Sequence, residues 1–187
     1  KKLKKDLENI SSFITSLKNS RPIDQDFQVQ SRQMENIIEL IKLKISNGSN
    51  FNEEIELLEK LELSEENLSN IERLSILASR NFQGLNKLKI DYDQISSDYL
   101  NHYYSKKNKN KFIKYIFNII SIQPNLNSNI EDENVLKLSL AKKNLLENNM
   151  AQSIRLLASL KDTEYFFSQW IIRAENYDQM IKLLNKL

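Results

Sequence analysis

The sequence has no cysteine, two glycines, two prolines and one histidine in 187 residues. Without cysteine there is neither a disulfide nor a thiolate metal site. A single histidine, His102, cannot build a usual zinc centre. So few chain breakers exclude a turn-rich β architecture and require long helices joined by short links. Charge of one sign is missing as well: 27 basic and 25 acidic residues leave a net charge of +2, more balanced than is usual for a chain that binds nucleic acid. No run reaches the roughly 20 apolar residues of a membrane span, and no signal peptide is visible. The chain opens on KKLKKDL, inside a helical pattern and without an initiator Met, so it is expected to be a piece of a longer protein. Asp91, Asp93 and Asp98 are spread over the faces of one helix, with no nucleophile, gathered histidines or glycine-rich loop beside them. They are read as a solvated face, and the chain is expected to be neither an enzyme nor a cofactor-binding protein.

What is present is concentrated at 106–122, KKNKNKFIKYIFNIISI. Five lysines (Lys106, Lys107, Lys109, Lys111, Lys114) fall within nine residues, with no acid among them. A dense apolar run comes next. At about 100° per residue, Phe112, Ile116, Phe117 and Ile120 share a broad apolar face with their neighbours, and Lys111 and Lys114 sit on the narrow polar remainder. Such a face must be hidden in a protein core or in a membrane interface. Each lysine near an anionic bilayer is worth about 1 kcal/mol, which a core would not need. The residues themselves leave both readings open: a lipid-binding amphipathic helix, or a bundle helix preceded by a solvated lysine loop.

Elsewhere the pattern is helical. Leu3, Leu7, Ile10, Ile14 and Leu17 are spaced 4-3-4-3, a heptad seam that reads as the end of a coiled coil over 1–22 or as an amphipathic helix packed on the rest. Residues 23–26 read as a polar break after Pro22. A helix is predicted over 27–47, stopped by Asn47-Gly48-Ser49-Asn50, with Asn50 or Asn52 capping the next. Ser64 starts a helix carrying Leu68, Ile71, Leu74, Ile76, Leu77 and Ala78. A helix over 85–104 leads into the lysine-rich stretch, which ends in the linker 123–131, polar enough to be mobile. Helices are then predicted over 131–147 and 151–160, from Thr163 as a cap, and from Asn176 to the end. The fold class is all-α: an antiparallel helical bundle over 27–187 with an N-terminal coiled-coil-like helix and a C-terminal helical-hairpin pair. The C-terminal helix pair around Trp170, Tyr177 and Leu184 is a candidate protein-docking surface. The other reading of these three residues is bundle core, which is preferred for Trp170.

Three segments in this order resemble the mitofilin family, specifically its alphaproteobacterial members. Gly48, Phe51, Glu54 and Ile55 fit a "Gly, x, x, Phe, x, x, Glu, apolar" stretch. The basic-apolar run to Ile122 stands where that family carries a membrane-binding segment. VLKLSLAKKNLLENNMAQSIRLLASL, then Trp170-Ile171-Ile172-Arg173-Ala174, is similar to the family's closing pattern. The resemblance covers about residues 41–187. Asn149-Met150 and Lys161-Asp162-Thr163 depart from the glycine- and proline-containing turns usual there. The resemblance implies a domain tethered to an inner membrane and facing the periplasm or the mitochondrial intermembrane space. It further implies binding and bending of anionic membranes, as at crista junctions or intracytoplasmic membranes, oligomerisation with copies of itself, and bridging to outer-membrane assembly proteins or a small mitofilin-partner protein. Two other readings stand beside it: a helical protein–protein adaptor without lipid activity, and an RNA-binding domain using the lysines with Tyr103, Tyr104 and Tyr115. The balanced charge makes the second the weakest, and no nucleic-acid partner is expected.

Overall fold

The sparse turn residues stand where the helices stop. In a computed structural model, which describes residues 23–80, 83–107 and 132–187, every regular element is an α-helix: α1 (Ile23–Asn47), α2 (Asn52–Glu59), α3 (Glu65–Ala78), α4 (Leu85–Lys107), α5 (Glu133–Leu146), α6 (Met150–Ala158), α7 (Thr163–Phe166) and α8 (Ser168–Leu184). The heptad residues Leu3, Leu7, Ile10, Ile14 and Leu17 and the linker 123–131 lie outside the described residues.

α1 ends in a Schellman motif. The Gly48 N–H donates to the Ile45 carbonyl (3.2 Å) and the Ser49 N–H to the Lys44 carbonyl (2.8 Å), with Gly48 at φ +74°. This is the left-handed position that glycine occupies without a Cβ penalty. α5 ends the same way on Asn148 at φ +60°, with Asn148 N–H on Leu145 and Asn149 N–H on Asn144. Asparagine tolerates that conformation better than other side-chain-bearing residues. The chain's two glycines also meet each other. A Cβ on Gly84 would overlap the Gly48 nitrogen and stand 2.5 Å from the Ser46 carbonyl oxygen, so the α1–α2 and α3–α4 connections touch backbone to backbone. Beside the crossing, Asn86 Nδ2 donates to Asn47 Oδ1 at 3.2 Å.

Two adjacent cores result. One gathers Ile41 and Ile45 of α1, Phe51, Ile55 and Leu58, and Ile71, Leu74 and Leu77 of α3. The other gathers Leu88, Tyr92, Tyr99 and Leu100 of α4 with Leu138, Ala141, Leu145, Leu157, Phe167 and Trp170. α8 spans both. Its first half supplies Trp170 and Ala174 to the second core, its last turns supply Met180, Leu183 and Leu184 to the first, and Tyr177 packs against both.

Several boundaries differ from the sequence reading. Residues 23–26 belong to α1 instead of forming a break, because a proline leading into acidic residues suits the start of a helix as well as a loop. The last two predicted helices are one: α8 runs through Asn176 without interruption, since a single Asn costs a helix only tenths of a kcal/mol against the burial on either side. Thr163 does not act as the N-cap of α7. Its Oγ1 donates backwards to the carbonyls of Leu157 and Leu160, both at 2.7 Å, closing the end of α6. Of the apolar residues that α3 carries, Leu68 and Ile76 are exposed. Ser64 does cap α3, accepting from the Asn67 N–H at 3.2 Å.

The glycine crossing yields a stability prediction. Gly84→Ala should lower the unfolding free energy by about 3 kcal/mol, because the new Cβ meets backbone that cannot give way as a flexible side chain does. Ser49→Ala, on the exposed side of the same turn, should change it by less than about 0.5 kcal/mol. Urea titrations followed by circular dichroism measure both.

Candidate functional site

α8 is held in place by side chains bonded to the backbones of neighbouring helices. Trp170 Nε1 donates to the Leu88 carbonyl of α4 at 2.9 Å. The Tyr92 hydroxyl of α4 donates to the Leu138 carbonyl of α5 at 2.6 Å. Ser153 Oγ of α6 donates to the Ala141 carbonyl of α5 at 3.0 Å. All three donors are fully buried, where an unpaired donor would cost about 1–3 kcal/mol. The Tyr92 ring also meets Trp170 edge-on, with centroids 5.7 Å apart. At the rim, Arg173 of α8 pairs with Asp91 at 2.7 Å and also donates to Gln83, and Lys87 pairs with the same carboxylate at 2.6 Å. Burial raises the Asp91 carboxyl, but the hydrogen bonds from Lys87 and Arg173 outweigh it and hold the group below the usual carboxylate range. Asp93 bonds Lys142 of α5 at 2.8 Å. Asp91 and Asp93 are therefore interhelix ties and not the solvated face read from the sequence.

Trp170 and Leu184 are buried, and Tyr177 is half-buried between the two cores. Trp170, for which core is the preferred reading, and Leu184 are core, and Tyr177 is partly covered: the face of α8 that carries them packs on α4 and α3. Of the lipid-binding candidates, Lys106 is exposed on the last turn of α4 and reaches Asp162 at 3.2 Å, while Lys107 closes that helix. Lys109, Lys111, Lys114, Phe112, Ile116, Phe117 and Ile120 lie outside the described residues. The last turns of α4 carry an aromatic cluster. Tyr99 stacks on Tyr103 (6.0 Å) and meets Phe166 edge-on (5.5 Å), and His102 lies against Phe166 at 5.3 Å. The base from which the lysine-rich segment departs is thus firmly packed.

A second surface was not singled out in the sequence. Between α3 and α8 runs a groove of about 450 Å³ lined by Arg73, Arg80, Lys182 and Lys186, with Ile76, Leu77, Gln179 and Leu183. Leu77 and Leu183 are buried and form its floor, and the four cations are exposed on its rims. Lys182 is paired with Asp178 of its own helix. The signal was present as two stripes, Arg73-Leu77-Arg80 and Lys182-Leu183-Lys186. Nothing in the sequence says that these stripes face each other.

Among the described residues, no group of three or more His, Asp or Glu side chains is placed to hold a metal ion, and no helix is long and apolar enough to cross a membrane. The chain matches no family model, and neither the curated proteins nor the solved structures give a match.

The buried phenols set a pH limit. Burial pushes the Tyr99 hydroxyl up to about 12 from its ordinary 10 and raises Tyr92 and Tyr177 as well. A raised phenol pKa means that the folded state holds the proton more tightly. The stabilisation is complete below pH 10 and is lost as pH rises from there through the folded value. Unfolding free energy should therefore fall steeply above pH 10, with ionisation of the buried phenols accompanying loss of helix. Tyr92→Phe should cost about 1 kcal/mol at neutral pH and make the alkaline limb shallower. Urea titrations of both proteins at neutral and alkaline pH measure this.

Proposed function

We propose that the chain is a non-enzymatic, membrane-shaping scaffold domain of an inner membrane, which binds anionic lipid through the segment 106–122 and self-associates. One observation carries this reading: a sequence of five lysines and a dense apolar run begins at the last turn of α4, which holds Lys106 and Lys107. In the proposed mechanism the lysines draw the segment to anionic headgroups at about 1 kcal/mol each. Phe112, Ile116, Phe117 and Ile120 then insert shallowly, wedging one leaflet. Copies held together sum many weak insertions into a stable attachment. The resemblance to mitofilins supports an inner-membrane location facing the periplasm or intermembrane space, and partners among outer-membrane assembly proteins. The reading as an adaptor without lipid activity draws its support from the basic groove between α3 and α8, a surface suited to protein.

Co-sedimentation with phosphatidylcholine vesicles of graded phosphatidylglycerol content tests the proposal. Pelleting should rise with anionic content, and Lys111→Glu with Phe117→Asp should weaken it at least about tenfold without loss of helix by circular dichroism. Equal binding by a folded variant and the wild type, or no pelleting at any composition, would overturn the lipid assignment.

A further inference from the structure

The basic groove between α3 and α8 has a counterpart on the same molecule. Residues 52–66 hold seven glutamates and one cation, Lys60. Glu54 is turned inward and bound to Lys44 at 2.7 Å, whereas Glu53, Glu56 and Glu59 are exposed along α2. Among them Leu57 is 47% exposed, an apolar side chain standing out of an acidic surface. The groove presents the inverse. Arg73 and Arg80 flank an apolar floor of Leu77 and Leu183, with Ile76 50% exposed at its edge. Arg73, Arg80 and Lys186 have no carboxylate partner among the described residues, and nor do Glu53, Glu56 and Glu59 a cation. A flat bilayer cannot reach the floor of a groove, but an amphipathic helix can. Opposite potentials across an interface steer association and select register.

We infer that the α3–α8 groove is a self-association site that takes the acidic α2 surface of a second copy of this chain. Leu57 of one copy covers Leu77 and Leu183 of the other, and Glu53, Glu56 and Glu59 face Arg73, Arg80, Lys182 and Lys186. The donor and acceptor surfaces are different patches of one molecule. The contact closes into a dimer when it forms reciprocally and otherwise extends head to tail. The inference deepens the scaffold reading and rests on it only for the expectation that copies associate. It needs no lipid.

The test is charge reversal in the full 187-residue chain, read by sedimentation equilibrium without lipid. The variants are R73E/R80E and E53K/E56K, all four positions being exposed, with Glu53, Glu56 and Arg73 on helices and Arg80 just past the end of α3. Each alone should associate at least tenfold more weakly than the wild type, and an equimolar mixture should recover association, because the acidic groove of one now meets the basic α2 of the other. A misfolded variant would not be rescued by mixing. The chain has no cysteine, so a mixture of L57C and I76C copies should form an intermolecular disulfide under mild oxidation, whereas L57C with L43C should not. Unchanged association in the variants, a mixture no stronger than its parts, or a wild type that stays monomeric at low salt would each overturn the inference. So would loss of binding to phosphatidylglycerol vesicles by R73E/R80E with self-association intact, which would assign the groove to lipid. A Lys111→Glu, Phe117→Asp chain that loses vesicle binding while still self-associating would separate this contact from the lipid site.

Discussion

The hydrogen bond from Trp170 to the Leu88 carbonyl joins the two cores through one helix. α8 enters the core formed with α4 and α5 at Trp170 and leaves through the core formed with α1 and α3 at Leu184, so it cannot shift without opening both. The ties of Tyr92 to Leu138 and of Ser153 to Ala141 extend this constraint to α5 and α6. Each uses a side-chain donor on a carbonyl that sits within a helix. The helices are thereby fixed in register, which hydrophobic contact alone does not do because it is non-directional. The Arg173–Asp91–Lys87 cluster closes the same junction from the solvent side.

The glycine crossing is the complementary constraint. Helical chains tolerate few glycines, and this one places both where two backbones touch. The stretch that looks like a mitofilin motif, Gly48 through Ile55, has a structural account independent of any family. Gly48 makes the left-handed stop, Phe51 and Ile55 fill the first core, and Glu54 is a buried acceptor for Lys44.

The helical periodicity made most of the fold legible. Ile41, Ile45, Ile71 and Leu74 stand at core positions that their spacing indicated, and the stops at Gly48 and Asn148 are local chemistry written into single residues. What was not legible depended on contacts distant in sequence. Asn176 looks like a helix start until Trp170 and Met180 are seen to bury the same helix on both sides of it. Thr163 is the local exception: it has the chemistry of an N-cap, but the carbonyls it reaches, three and six residues away, lie behind it. Leu68 and Ile76 extend an apolar pattern that the neighbouring helices do not cover. The basic groove was hidden for the same reason: its rims, Arg73–Arg80 and Lys182–Lys186, lie far apart in the chain. The lysine-rich segment was conspicuous from composition alone. Its placement lies outside the described residues, so the lipid reading draws on its sequence and on the packed base formed by Tyr99, Tyr103 and Phe166.

The described helices form a platform locked by α8, and the basic, apolar sequence 106–122 is proposed to engage lipid. Hydrogen–deuterium exchange of the chain, with and without phosphatidylglycerol vesicles, tests that assignment most directly. New protection over 106–122 is predicted on vesicle binding, with the amides around Leu88, Leu138 and Trp170 already protected and unchanged. Equal exchange over 106–122 in the two conditions, or loss of protection around Trp170, would contradict it.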